Sequence, residues 1–360
     1  MKINSQRLSK LFTDLVKIDS PSGEETRVIK YIKKYLRTLN VPAKQDSRGN
    51  LYARIPGKTG EAPLVLCAHL DTVEPGRGIV PVFKKGVFTS RGATILGADD
   101  KSGVAEILEL LTTIKDGFVN ERSIEILFTV DEERGATGAR AVRPEWLKGR
   151  EMLILDAGES GKITTAAPFI FEYEVELTGR AAHSGAEPEK GRNALLVAAR
   201  AIADIPVGRI DDRSTANVGF LASGQAINAV PASATFKGEI RSHERSRADK
   251  IFAQTKAAVE SAAKPLGVRA SIHRELWCEG YCYSHTDPHI KKAVKLMKLV
   301  GIRPRLKVSG GASDANTLVG KDFRPLDIGA GYKNPHMTTE TVKLKDMVRV
   351  VELLQRYVND

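Results

Sequence analysis

The chain has 360 residues, 42% of them hydrophobic and 28% charged, an ordinary globular balance that allows a sizeable core in one or two domains. Its longest largely apolar runs, such as residues 63–68 and 124–130, are strand-length and fall short of the roughly 20 residues of a membrane span. Three cysteines (Cys67, Cys278, Cys282) exclude a disulfide framework, and a net charge of +11 spread along the chain reads as a solvated basic surface, against nucleic acid as a partner.

From the N-terminus, residues 1–7 carry no apolar export core, so the cytoplasm is the expected compartment. Ser5 precedes Leu8, Leu11, Phe12, Leu15 and Val16, whose spacing predicts a helix. Asp19-Ser20-Pro21-Ser22-Gly23 breaks it, and Val28, Ile29, Ile32, Tyr35 and Leu36 predict a second. Residues 51–55, 64–68, 123–130 and 152–155 read as strands, with a helix over 102–114 among them. Such alternation implies an α/β architecture with a largely parallel sheet. From about Ala167 the pattern changes. Strands over 169–178, 215–221, 234–242 and 268–276, with helices over 193–205 and 250–263, imply a small α+β unit with an antiparallel sheet. After Tyr283 the α/β pattern returns: helix 288–300, strands 305–308 and 325–328, helix 344–357. The expected organisation is one α/β domain, residues 1–168 and 283–360, interrupted by an α+β insert over 169–282.

Chemistry-bearing residues collect where strands end. His69 and Asp71 point to one side of extended chain, at the carboxyl end where open α/β sheets bind ligands. A ligating histidine needs an acceptor on its second ring nitrogen, and Asp71 suits that task. Asp99 and Asp100 precede the helix over 102–114. Helix capping accounts for one aspartate there; cation coordination accounts for the pair. The strand over 123–130 ends in Asp131, Glu132 and Glu133, and the strand over 152–155 ends in Asp156. His336 lies in the turn-rich Asn334-Pro335-His336. Each feature alone has an ordinary explanation. As a set they form a mixed nitrogen–oxygen donor group that suits zinc or another first-row dication. Five donors exceed what one catalytic zinc takes, so two ions sharing a bridging carboxylate fit better.

In order and spacing, His69-Leu70-Asp71-Thr72-Val73, Gly97-Ala98-Asp99-Asp100-Lys101-Ser102-Gly103, Asp131-Glu132-Glu133, Asp156 and His336 resemble the motif set of the M20 metallopeptidases, most closely the peptidase T (tripeptide aminopeptidase) branch. The resemblance covers nearly the whole chain. It implies a zinc-exopeptidase-like catalytic domain, two metal ions per chain (zinc, with cobalt or manganese as alternatives), and hydrolysis of a peptide bond in small peptides. His69 and Asp156 would bind one ion, Glu133 and His336 the other. Asp99 would bridge them, its bond to Asp100 typically cis. Asp71 would orient His69, and Glu132 would be the general base acting on a metal-bridging water. The insert would be a lid and homodimerisation domain. Within it, His183 of Gly179-Arg180-Ala181-Ala182-His183-Ser184-Gly185 would stabilise the oxyanion in the partner subunit's site. Asn228 and Arg241 would hold substrate, Arg241 through a bidentate grip on a carboxylate. Gly310 and Gly311, in Gly310-Gly311-Ala312-Ser313-Asp314, would let backbone approach the substrate.

Two expectations stand beside these. The chain is shorter than typical tripeptidases of that branch, which leaves a dipeptidase, or a deacylase or amidohydrolase acting on N-acyl amino acids, as the alternative. An inactive metal-binding homologue is a further alternative, opposed by the intact Glu132. His243, His273, His285 and His289 lie outside the motifs and read as surface or structural residues.

Overall fold

Leu64–His69 and Ile124–Thr129 are buried at every position, on both faces. Largely apolar strands buried on both faces belong inside a parallel sheet covered on both sides, and these two pair in parallel in the computed structural model, which describes residues 1–360. Glu151–Ile154 runs parallel to Leu64–His69, and Arg324–Ile328 parallel to Glu151–Ile154. The flanking strands reverse: Leu51–Ile55 and Ala43–Gln45 add antiparallel on one side, and Lys162–Ala167 on the other. The parallel character is therefore central, and the carboxyl ends of all four parallel strands share one edge.

Amphipathic helices cover this sheet. Ser5–Val16 buries Leu8, Leu11, Phe12, Leu15 and Val16, the predicted stripe. Its cap is Asn4, whose side chain accepts the Arg7 N–H at 3.0 Å. Thr26–Thr38, Pro288–Leu299 and Leu344–Tyr357 are amphipathic too, whereas Ala98–Lys115 is buried on all sides from Ala98 to Thr113. Each fully buried Leu, Ile or Phe contributes roughly 1.5–3 kcal/mol of transfer free energy.

A small sheet of Tyr332–Lys333, Thr341–Lys343, Val87–Ser90 and Pro81–Lys84 escaped the sequence reading. Strands of two to four residues are too short to show a period of two. It matters because it carries Tyr332 and flanks the His336 turn.

The chain divides into two compact units: residues 1–165, 283–309 and 313–360, and residues 166–282 with 310–312. The second unit has an antiparallel sheet in the order Gly208–Asp211, Ser214–Ser223, Ser233–Ser242, Phe169–Thr178, Arg269–Cys278. Phe169–Thr178 alternates as read from sequence: Phe171, Tyr173, Val175 and Leu177 turn into a core with Val197, Phe236, Ile251 and Val259, and the glutamates between them face out. Ala194–Asp204 and Arg245–Ala263 supply the helical side of that core. No helix is long and apolar enough to cross a membrane.

Candidate metal centre

The four parallel strands end at one cluster in the first unit. His69 is the last residue of its strand. Its Nε2 lies 3.1 Å from Asp99 Oδ1 and 3.8 Å from Asp156 Oδ1. Its Nδ1 faces the Asp71 backbone carbonyl at 3.0 Å and the Asp71 carboxylate at 3.4 Å. With Nδ1–H donated there, Nε2 is left to coordinate. Asp71 does more than orient one ring. Its carboxylate accepts the Ser22 hydroxyl at 2.7 Å and the backbone N–H groups of Glu132 and Glu133 at 2.9 and 3.2 Å. One buried carboxylate thus fixes the histidine and the acidic loop together. Burial opposes its charge, but His69 and these donors outweigh burial and hold the Asp71 carboxyl below its ordinary value.

The adjacent aspartates divide their work, as the capping argument suggested for one of them. Asp99 and Asp100 have non-helical backbone angles, and the peptide between them is cis. Asp100 caps: its Oδ1 accepts the Gly103 N–H at 3.2 Å and its Oδ2 the His69 N–H at 3.3 Å. Asp99 is left to face the imidazoles, with Oδ2 3.4 Å from His336 Nε2. The acidic triplet divides too. Asp131 is neutralised by Arg48 at 2.6 Å and Arg134 at 2.7 Å. Glu133 Oε1 meets His336 Nε2 at 2.8 Å. Glu132 remains, grouped with His69 and Glu133. The strand end beneath them is tied down by Thr129, whose hydroxyl donates to Asp314 at 2.5 Å.

Donor atoms of His69, Asp99 and Asp156 lie within 4.8 Å of one another, as do those of Asp99, Glu133 and His336, so Asp99 belongs to both groups. Two donors on one tetrahedral zinc at about 2.0–2.1 Å lie roughly 3.3 Å apart. The separations of 3.1, 3.8, 3.4 and 2.8 Å bracket that value. The protonation pattern agrees. Burial, then the charge of Asp99, pushes the Asp156 carboxyl well above its ordinary range, and burial does the same to Glu132. Burial opposes the charge of Asp99, yet hydrogen bonds with His336 and His69 hold its carboxyl well below the ordinary range. Asp99 and then Glu133 raise the His336 imidazole to about 10. Buried carboxylates packed this closely need positive charge. A dication supplies it and displaces the imidazole protons.

The comparisons with known proteins agree with this geometry. Residues 169–266 match the M20 peptidase dimerisation domain, and residues 50–182 match peptidase family M28. The chain is 33% identical to the Bacillus subtilis protein YqjE over 99% of both chains. Among solved structures, aminopeptidase PepT from Bacillus cereus superposes with a TM-score of 0.90 at 33% identity, covering 99% of this chain and 98% of that one. A Staphylococcus aureus tripeptidase superposes with a TM-score of 0.91 at 29% identity, covering 100% of both.

The chain belongs to the M20 metallopeptidase family.

Its likeness to the peptidase T branch extends over its full length. The S. aureus tripeptidase is matched from end to end, so the length of this M20 chain is no departure from tripeptidases of that kind.

The remaining expected residues lie in the insert unit. His183 is exposed, and its Nδ1 accepts the backbone N–H groups of Gly185 and Ala186, both at 3.2 Å. Asn228 is exposed, and its backbone carbonyl accepts the Ser184 N–H at 3.0 Å. Arg241 holds Glu239 through two bonds of 2.9 and 3.0 Å and donates to the Gly310 carbonyl at 3.3 Å. A Cβ on Gly310 would meet nothing within 4 Å, so close packing does not require glycine there. Within the chain, Gly310 contributes a carbonyl for Arg241.

Three residues of the M20 site were missed. The Tyr332 hydroxyl lies 2.7 Å from both Asp156 Oδ1 and the Asp156 carbonyl, which share its one proton. Buried Glu340 accepts the N–H groups of Leu96, Gly97 and Asp99 at 2.8, 2.7 and 2.9 Å, so it shapes the turn that presents Asp99. Lys101 is buried with its ammonium on the Ile18 carbonyl at 2.6 Å, and burial pulls its amine down to about 7. Only the position of Lys101, inside the Asp99–Gly103 motif, offered a sequence signal.

Proposed function

We propose that this M20 chain is a two-metal exopeptidase acting on small peptides, of the aminopeptidase or tripeptidase kind. His69 and Asp156 would hold one divalent ion, Glu133 and His336 the other, and Asp99 both. The observation that carries this reading is the pair of donor groups meeting at Asp99. Bound there, the ions supply Lewis acidity, acidifying the attacking water and polarising the scissile carbonyl.

The chain's own residues do the rest. Asp71 sets His69 and the backbone of Glu132 and Glu133 in one register. Glu132 is the base: its carboxylate lies beside His69 and Glu133 and, unlike Asp131, has no arginine partner. It takes a proton from the attacking water and delivers it to the leaving amine, so that one water is added across the amide bond. His183 is the oxyanion donor. Because its Nδ1 accepts two N–H groups, its proton sits on Nε2, the tautomer able to donate outward. Arg241 receives the carboxylate end of the substrate, and Asn228 hydrogen-bonds it. The match of residues 169–266 to the M20 dimerisation domain supports a homodimer through the insert. The names of the B. cereus and S. aureus structures favour aminopeptidase and tripeptidase chemistry.

The test is a screen of dipeptides, tripeptides and N-acyl amino acids with metal-stripped protein reconstituted with zinc, cobalt or manganese. Peptide cleavage that depends on added metal is expected. Cleavage of N-acyl amino acids alone would replace the peptidase reading with a deacylase one.

A further inference from the structure

The Arg241 guanidinium already holds a carboxylate. Its Nε and Nη2 donate to Glu239 Oε1 and Oε2 at 2.9 and 3.0 Å, a two-point grip of the kind a substrate carboxylate would use. Glu239 and Arg241 stand two residues apart on Ser233–Ser242, so both lie on the same face of the insert sheet. Their side chains are 34% and 33% exposed, so the pair is open to exchange with solvent and solutes. Nη1 is committed separately, to the Gly310 carbonyl at 3.3 Å.

The neighbouring strands explain why Glu239 seeks this cation. Glu172 is its direct cross-strand partner, and Glu275 is the partner of Glu172 on the far side. Three glutamates thus form one row across three strands, and like charges directly opposite destabilise a sheet. The nearby Lys237 is paired with Glu174 at 3.1 Å. Arg241 is the cation paired with this row.

We propose that Glu239 is a specificity-determining residue that acts as a built-in competitor for the substrate's carboxylate. It fills the Arg241 fork in the free enzyme, and a peptide with a free C-terminus must displace it. A part-exposed pair is worth little, so displacement is feasible and its effect modest, about 3-fold in apparent affinity. This rests on the reading that Arg241 receives the substrate carboxylate.

The experiment uses the full chain loaded with zinc and one tripeptide in free-acid and C-terminal amide forms. Glu239→Gln is expected to lower KM for the free acid about 3-fold, with kcat and the amide's KM unchanged. Glu275→Gln removes a charge from the row without touching the fork and is expected to change neither KM. Arg241→Ala is expected to raise the free-acid KM and to cancel the effect of Glu239→Gln in the double variant. An unchanged or raised free-acid KM in Glu239→Gln, with Arg241→Ala behaving as stated, would overturn the competitor role alone. An equal fall in Glu275→Gln would overturn it in favour of general electrostatics. An Arg241→Ala variant with unaltered free-acid KM would instead overturn the underlying assignment of Arg241.

Discussion

Glu340→Gln tests how the Asp99 turn is held. Glu340 is 1% exposed, and its two oxygens take three backbone N–H groups: Leu96 and Gly97 on Oε2, Asp99 on Oε1. A glutamine offers one carbonyl oxygen and one NH2. If the oxygen keeps Leu96 and Gly97, the Asp99 N–H faces another donor; the flipped amide strands the other two. At least one buried N–H is left unpaired, which costs about 1–3 kcal/mol, and the surviving bonds lose their charge assistance. A loss of ~2–3 kcal/mol of stability is expected. Because the stranded group in the milder case belongs to Asp99, the damage also reaches the metal centre, where loss of an outer partner lowers affinity roughly 10–100-fold. Denaturant unfolding with and without zinc, and chelator competition for zinc, measure the two effects. Wild-type zinc affinity and wild-type unfolding in the variant would refute the reasoning, because the Asp99 turn would then hold its shape without this carboxylate.

Tyr332→Phe removes the hydroxyl bonded to Asp156. Zinc affinity is expected to fall about 10-fold or more with the fold intact by circular dichroism; unchanged affinity in chelator competition would show that Asp156 needs no such support. Far along the sheet, Glu151 lies 2.5 Å from Arg122 and 3.3 Å from the His289 ring. Burial works to raise its carboxyl, but hydrogen bonds from His289 and Arg122 prevail and hold it at about 2. A carboxyl depressed in the folded state stabilises above its unfolded pKa, about 4.3, and loses that contribution as pH falls toward the folded value. The stability gap between wild type and Glu151→Gln is therefore expected to be full at pH 7 and 5 and to shrink between about pH 4 and 2. A gap independent of pH in denaturant titrations would count against the ion pair as its source.

The amino-acid pattern carried the long elements well. Phe169–Thr178 and Leu344–Tyr357 have the predicted boundaries, because each spans enough residues for its period of two or 3.6 to show. The strand ends were legible because apolar runs finish abruptly on His69, Asp131 and Asp156. The division of labour beside them was not. Nothing local tells that Asp100 caps while Asp99 faces the imidazoles, or that two arginines quench Asp131 and leave Glu132 free. Glu340 and Tyr332 act on residues far away in sequence, through backbone N–H groups and one carboxylate, and such pairings leave no periodic trace. Arg241 was expected to grip a carboxylate from the substrate, and its resident partner, Glu239, became visible only with side chains in place.

Glu132→Gln probes the central claim most directly. The variant keeps the side-chain size and leaves His69, Asp99, Glu133, Asp156 and His336 intact, but it has no carboxylate to accept a proton. Zinc content and peptide turnover are measured on the same preparation. Bound zinc at the wild-type level with hydrolysis reduced by at least 100-fold is the expected result. Wild-type turnover in that zinc-loaded variant would contradict the assignment of Glu132 as the base and, with it, the mechanism built on this site.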